Sequence, residues 1–279
     1  MNAPSPERLK ALLHLLSDPD EDIARTIQNQ LVKMGPPALP FLESARMEHP
    51  PLSPLLDWVI GEIHVPQLLD SLRQGLLESS LDWEQGAFLI ARLRDPALNI
   101  AHYQKILDEL AEEFRKKWDH ESLSKEDAAQ RLAMFLFKDK GFTGNQEHYY
   151  DPDNSFMHLV IDRRQGIPIT LSALYVFVGR RVGLPVVGVG LPGHFIVRVD
   201  EVAPPLFLDA FNGGTRLKEQ DCRQFIEAAG LEFYPHYLNA SPTPAILSRM
   251  LRNLLGVYEK TGQETMVRRV TTLLSSFDS

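Results

Sequence analysis

Residues 166–214 read GIPITLSALYVFVGRRVGLPVVGVGLPGHFIVRVDEVAPPLFLDAFNGG, and this run decides the fold. Ile169 to Val182 is an almost unbroken apolar segment, long enough for a buried helix, and Gly183-Leu184-Pro185 ends it. Val186-Val187-Gly188-Val189-Gly190 then reads as a strand, Phe195 to Val199 as a second and Leu206 to Asp209 as a third. The Pro204-Pro205 break makes the last two neighbours. Side chains alternate along a strand, so His194, Ile196 and Arg198 share one face, as do Phe207 and Asp209. Whether the two faces coincide depends on the pairing register.

Outward from this run the chain is helical. A helix from about Lys218 to Ala229 carries Cys222, Phe225 and Ile226 at core spacing. In the tail, Leu247, Met250, Leu251, Leu254 and Tyr258 form one apolar stripe, Gly262 ends it, and Met266, Val267, Val270 and Leu274 form the next. Upstream, Ser5-Pro6 reads as a cap and first-turn pair. Asp18-Pro19-Asp20-Glu21 reads as a start signal with Asp18 as cap, and Ile23, Ile27, Leu31 and Met34 as the buried face. Further helices are expected over about 51–61, 66–78, 83–93 and 100–117, and Ser124 caps another running to about Lys138. Gly141 to Asn145 and Asp151 to Asn154 outline a long ordered loop. The expected organisation is α+β: a helical region at 1–117, a core at 124–240 and a helical tail at 241–279.

Composition narrows the function classes. The 279 residues carry a net charge of −8, which argues against a broad nucleic-acid footprint and against adhesion to anionic membranes. One cysteine, Cys222, excludes an intrachain disulfide and suits a reducing compartment. There is no secretory leader and no apolar run approaching the ~20 residues of a membrane span, so a cytoplasmic protein is expected. No Cys/His cluster has zinc spacing, Asp151 to Asn154 lacks the glycine and distal glutamate of a calcium loop, and no phosphate-binding glycine motif is complete. No metal or cofactor is expected.

Several motifs stand in a telling order: Asp151-Pro152-Asp153-Asn154-Ser155-Phe156, Asp162-Arg163-Arg164-Gln165-Gly166-Ile167-Pro168, Gly190-Leu191-Pro192-Gly193-His194-Phe195 and Asp209-Ala210-Phe211-Asn212-Gly213-Gly214. They resemble the divergent transglutaminase-like family of bacterial SirB-type proteins, and a similar domain of a eukaryotic F-box protein. The likeness covers roughly 80–280. The helices near Asp18 resemble a HEAT-type unit, and the tail resembles a tetratricopeptide-type unit.

The resemblance implies a papain/transglutaminase-like core with a small antiparallel sheet. In that design a buried helix begins at a nucleophilic cysteine, a histidine on a neighbouring strand takes its proton, and an acid on the next strand orients the histidine. His194 and Asp209 carry over. Counting back from the Gly183 turn by the family's spacing puts Gly166-Ile167-Pro168 where Gly-x-Cys stands, so the nucleophile is replaced by Pro168. Proline suits a first helical turn but has no nucleophile. Ser172 lies one turn on, about 5.4 Å along the axis and beyond hydrogen-bond reach of a base aligned with position 168.

The expected function is therefore a non-catalytic or repurposed protein. It would bind a peptide or small polar ligand in the cleft and a protein partner through its helical flanks, with no role for nucleic acid or membrane. The alternative is an amidase or peptidase in which His194 and Asp209 serve a non-cysteine nucleophile or an activated water. Asn154 either hydrogen-bonds a ligand or makes an Asx turn after Pro152, and Ser155 sits in a loop suited to fold over the site. Arg163 and Arg164 either bind an anion or acidic peptide, or pair with Asp162 or another local acid. Glu84 either approaches the site or is a first-turn acid facing the helix dipole.

Overall fold

The computed structural model describes residues 6–118 and 123–277. The chain begins with α1 (Pro6–Leu16), α2 (Glu21–Met34) and α3 (Leu39–Glu48), followed by α4 (Ser53–Leu77). The expected Ser5 cap lies outside the described residues. The start of α2 differs from expectation: Asp20, not Asp18, is the cap, accepting the N–H groups of Asp22 and Ile23, while Asp18 accepts the Asp20 N–H in a preceding turn. Ile23, placed on the buried face by its spacing, is 40% exposed, and the buried face of α2 is made by Ile27 and Leu31. Leu16, Leu31, Leu42, Leu56 and Ile60 form a core of their own here.

α4 replaces the two expected helices. It runs through Pro66, which breaks the intrahelical ladder at a cost of about 3 kcal/mol. Burial on both sides of the proline offsets this: Ile60 and Ile63 serve the first core, Val65, Leu68 and Leu72 the second. The division between cores thus falls inside α4, and the helices expected to share the N-terminal region at 83–117 pack elsewhere. Arg269, near the C-terminus, clamps the same helix by donating to the Glu62 carboxylate (3.1 Å) and the Trp58 carbonyl (2.8 Å).

The main core gathers α5 (Trp83–Ala91), α6 (Ile100–Lys117) and α7 (Lys125–Ala133), which a π-helical turn at Met134–Asp139 extends. Ser124 caps α7 through the Asp127 N–H. Next come β1 (Thr143–Gly144), α8 (Met157–Arg163), β2 (Gln165–Gly166) and α9 (Pro168–Arg181); β1 and β2 pair in parallel. Every residue of α9 from Pro168 to Gly179 is buried. β3 (Val186–Leu191), β4 (His194–Val199), β5 (Leu206–Asp209) and β6 (Thr215–Leu217) form an antiparallel sheet in that order. The short β6 was not foreseen. α10 (Glu219–Ala228), α11 (Thr243–Lys260) and α12 (Glu264–Leu274) complete an α+β chain.

Two layers cover the sheet. Phe195, Val197, Val199 and Leu208 face the core that holds α9 and α5. Gly188 leaves room for that packing, since a Cβ there would lie 2.8 Å from both Phe195 and Trp83. Val189, Leu191, Ile196 and Phe207 face the other way, against Cys222 and Ile226 of α10.

Candidate functional site

The site is built around a two-residue turn. Pro192 and Gly193 join β3 to β4, with Leu191 opposite His194 and Gly193 at φ +68°. Proline then glycine with positive φ is what a type II turn requires, so His194 opens its strand at the rim of the sheet. Val197 pairs with Leu208. Continuing that register by one residue sets Asp209 opposite Ile196, which makes His194 its diagonal neighbour on the same face. The two faces left open by the sequence therefore coincide.

The imidazole Nε2 of His194 lies 2.9 Å from Asp209 Oδ2. Both groups are buried, His194 8% and Asp209 2% exposed. Asn212 Nδ2 donates to the same oxygen at 2.8 Å, and the N–H groups of Phe211 and Asn212 donate to Oδ1. Burial pushes the Asp209 carboxyl up, but these donors outweigh it and hold the group below its ordinary value. Phe225 of α10 stacks on the imidazole, with ring centroids 4.8 Å apart. Among the described residues Nδ1 has no hydrogen-bond partner.

A cavity of about 240 Å³ opens where the turn meets the start of α9. It is lined by Pro168, Ile169, Gly193, His194 and Phe195, with Tyr149, Arg249 and Asn253. Position 168 therefore borders the same space as His194, and it offers no side-chain donor. Thr170 closes the first turn instead: its hydroxyl accepts the Ile167 N–H and donates to the Asn154 carbonyl at 2.8 Å. Ser172 is fully buried and points its hydroxyl at the Phe195 carbonyl, 3.4 Å away. Cys222 lies in the core beneath the sheet, and burial, helped by Asp221, pushes its thiol up to about 12.

The remaining candidates lie elsewhere. Asn154 is buried and supports its own loop: it donates to the His148 and Tyr149 carbonyls and accepts from Asn145 Nδ2. Ser155 ends the same turn, and neither residue lines the cavity. Arg163 pairs with Asp151 at 2.6 Å and Asp153 at 3.4 Å, while Asp162 accepts the Tyr103 hydroxyl. Arg164 caps α8 in a left-handed conformation, φ 56°, on the exposed surface. Glu84 holds Arg181 through two bonds of 2.5 and 2.9 Å at the far end of α9. A 14-residue helix is about 20 Å long, so this acid is remote from position 168. It serves the helix scaffold.

Arg249, Asn253 and Tyr149 were not singled out from the sequence. The first two are four apart on α11 and so share a face beside its apolar stripe, a pattern visible in the sequence only once the stripe's partner is known. Among the described residues no group of three His, Cys, Asp or Glu side chains is placed to hold a metal ion, and no helix is long and apolar enough to cross a membrane.

Comparison with known proteins agrees with this architecture. A UPF0162 protein of Xylella fastidiosa is 36% identical over 208 residues, 71% of this chain and 74% of the relative. A UPF0162 protein of Pseudomonas aeruginosa is 30% identical over 64% of this chain and 66% of its own length. The F-box only protein 21 of Mus musculus is 32% identical over 46% of this chain but 21% of that longer protein. No solved structure gives a significant match. The family model for the transglutaminase-like superfamily matches residues 101–252, which span the cavity, the His194–Asp209 pair and the helix start, and the chain belongs to that superfamily.

Proposed function

We propose that this protein binds a peptide segment or a small polar ligand in the cavity at the start of α9, and that it does not act as a cysteine-dependent transferase or protease. One observation carries the reading: the cavity bordered by His194 has Pro168 at the helix start, while the only cysteine is buried elsewhere. The hydroxyl of Ser172 is also turned into the core. Within the superfamily we assign the chain to the SirB-type branch, on the motifs at 151–172 and 190–214. We further infer that the HEAT-like first helices and the tetratricopeptide-like pair α11 and α12 offer surfaces for a protein partner, as helical repeats do. A cytoplasmic location fits the single buried thiol.

The test combines reactivity with binding. Iodoacetamide and a fluorophosphonate should leave the native protein unlabelled. Peptides that bind saturably should bind more weakly to His194→Ala. Labelling of a residue in the cavity, or full binding by the variant, would defeat the proposal.

A second reading rests on the imidazole. Nε2 is held by Asp209 and Nδ1 has no hydrogen-bond partner among the described residues, the arrangement that lets a histidine draw a proton from water. Amide hydrolysis that survives exhaustive purification and is lost in His194→Gln would favour this hydrolase.

A further inference from the structure

Besides His194, the cavity is lined by three polar side chains, Tyr149, Arg249 and Asn253. Arg249 is half-buried beside it. One guanidinium nitrogen donates to the His194 carbonyl at 2.7 Å, and the group lies 5.6 Å from the Phe195 ring centre. Among the described residues no carboxylate pairs with it. Arg181, Arg198 and Arg269, which are comparably shielded, each hold one: Glu84, Asp200 and Glu62. Burial pushes the Arg249 guanidinium below its ordinary value. A shielded charge without a counterion is costly. Tyr149 and Asn253 border the same space, and neither the phenol oxygen nor the amide has a hydrogen-bond partner among the described residues. Asp209, the nearby acid, is saturated by its own four donors.

We propose that this cavity recognises a single carboxylate, with the Arg249 guanidinium as counterion and Asn253 and Tyr149 as flanking donors. The inference rests on the reading of the cleft as a ligand site and names what that ligand carries. A planar fork over an aromatic ring fits a planar anion held by two parallel bonds. One cation among the lining groups calls for one negative charge, which disfavours a phosphate dianion. A volume of about 240 Å³ admits the carboxylate and little more than the group attached to it, against the apolar wall of Pro168, Ile169 and Phe195. The C-terminus of a peptide and a free small carboxylic acid share this chemistry.

The full chain is titrated with N-acetylated dipeptides and tetrapeptides bearing a free C-terminal carboxylate, and with the same peptides as C-terminal carboxamides. Amide and side-chain NMR shifts at Arg249, Asn253 and Gly193 are the readout. The acids should bind at millimolar concentration or better, and the carboxamides about tenfold more weakly or not at all. Asn253→Asp, at a half-exposed position that does not threaten folding, should weaken the acids about tenfold by charge repulsion and the neutral carboxamides by less, since they lose only a donor. Arg249→Lys should keep part of the affinity. Tighter binding of the tetrapeptides than of N-acetyl amino acids identifies a peptide terminus, and equal binding a small acid. Equal binding of acids and carboxamides, unaffected by Asn253→Asp, overturns the carboxylate assignment while leaving the cleft as a ligand site. No shift with either series overturns both.

Discussion

Asp209 allows the sharpest forecast, because its surroundings are fully defined. Its carboxylate is 2% exposed and accepts from His194 Nε2, Asn212 Nδ2 and two backbone N–H groups. Bonds to a charged acceptor contribute about 1.5–3 kcal/mol each, but the N–H groups of Phe211 and Asn212 are only partly buried and recover water. The orphaned imidazole does not. Asp209→Ala should therefore lose about 3–5 kcal/mol, which for a chain of this size lowers Tm by about 10 °C. Asp209→Asn keeps an acceptor for the backbone and should lose less, about 2 kcal/mol. The pH dependence has a fixed sign. Because the native carboxyl sits below its ordinary value of 3.8, its contribution is complete above that pH and disappears as the pH falls through the native value. The gap between wild type and Asp209→Ala should be flat from neutral pH down to the ordinary carboxylate range and then close. Urea titrations across that range measure it. A gap that stays constant into acid, or a Tm loss of only a degree or two, would refute the assignment of Asp209 as a charged, hydrogen-bonded anchor for His194.

Other consequences are simpler to check. Pro168→Cys places a thiol at the first turn of a 14-residue helix on the cavity wall, so iodoacetamide should label it with a midpoint below that of a free thiol, while Cys222, buried and with its thiol pushed up, stays silent at pH 7. Ser172→Ala removes one long hydrogen bond, so it should cost no more than about 1 kcal/mol and leave ligand binding intact. Glu84→Gln breaks the bidentate pair with Arg181 and should destabilise the chain by about 2–3 kcal/mol without changing affinity for any cavity ligand.

The central elements were legible because their signals are local. The apolar run of α9 and the β-branched strands bounded by Gly-Leu-Pro and Leu-Pro-Gly depend on neighbours in sequence, and they appear within a residue or two of their expected ends. What escaped depends on tertiary packing. Pro66 reads as a helix start, and only the two cores flanking α4 explain why the helix continues through it. The three residues of β6 carry no apolar pattern of their own. His194 and Asp209 are visible by motif, but their shared face needed the register. Glu84 reads equally as an acid approaching the cleft or as a first-turn acid, and only the fold shows it in the first turn of α5, with its partner Arg181 97 residues away at the opposite end of α9. Arg249 and Asn253 lie beside a conventional amphipathic stripe, and nothing in that helix says that its flank meets the β3–β4 turn.

The clamp of Arg269 on α4 ties the last helix of the chain to the place where the first core ends. A Cβ on Gly61 would fall within the guanidinium, so the Arg269 side chain packs directly on the α4 backbone there. Shortening the chain at its C-terminus would thus be felt at its N-terminus. Loss of α12 strips the Trp58 carbonyl and the Glu62 carboxylate of their donor beside Pro66, the one turn of α4 that lacks its own backbone bond.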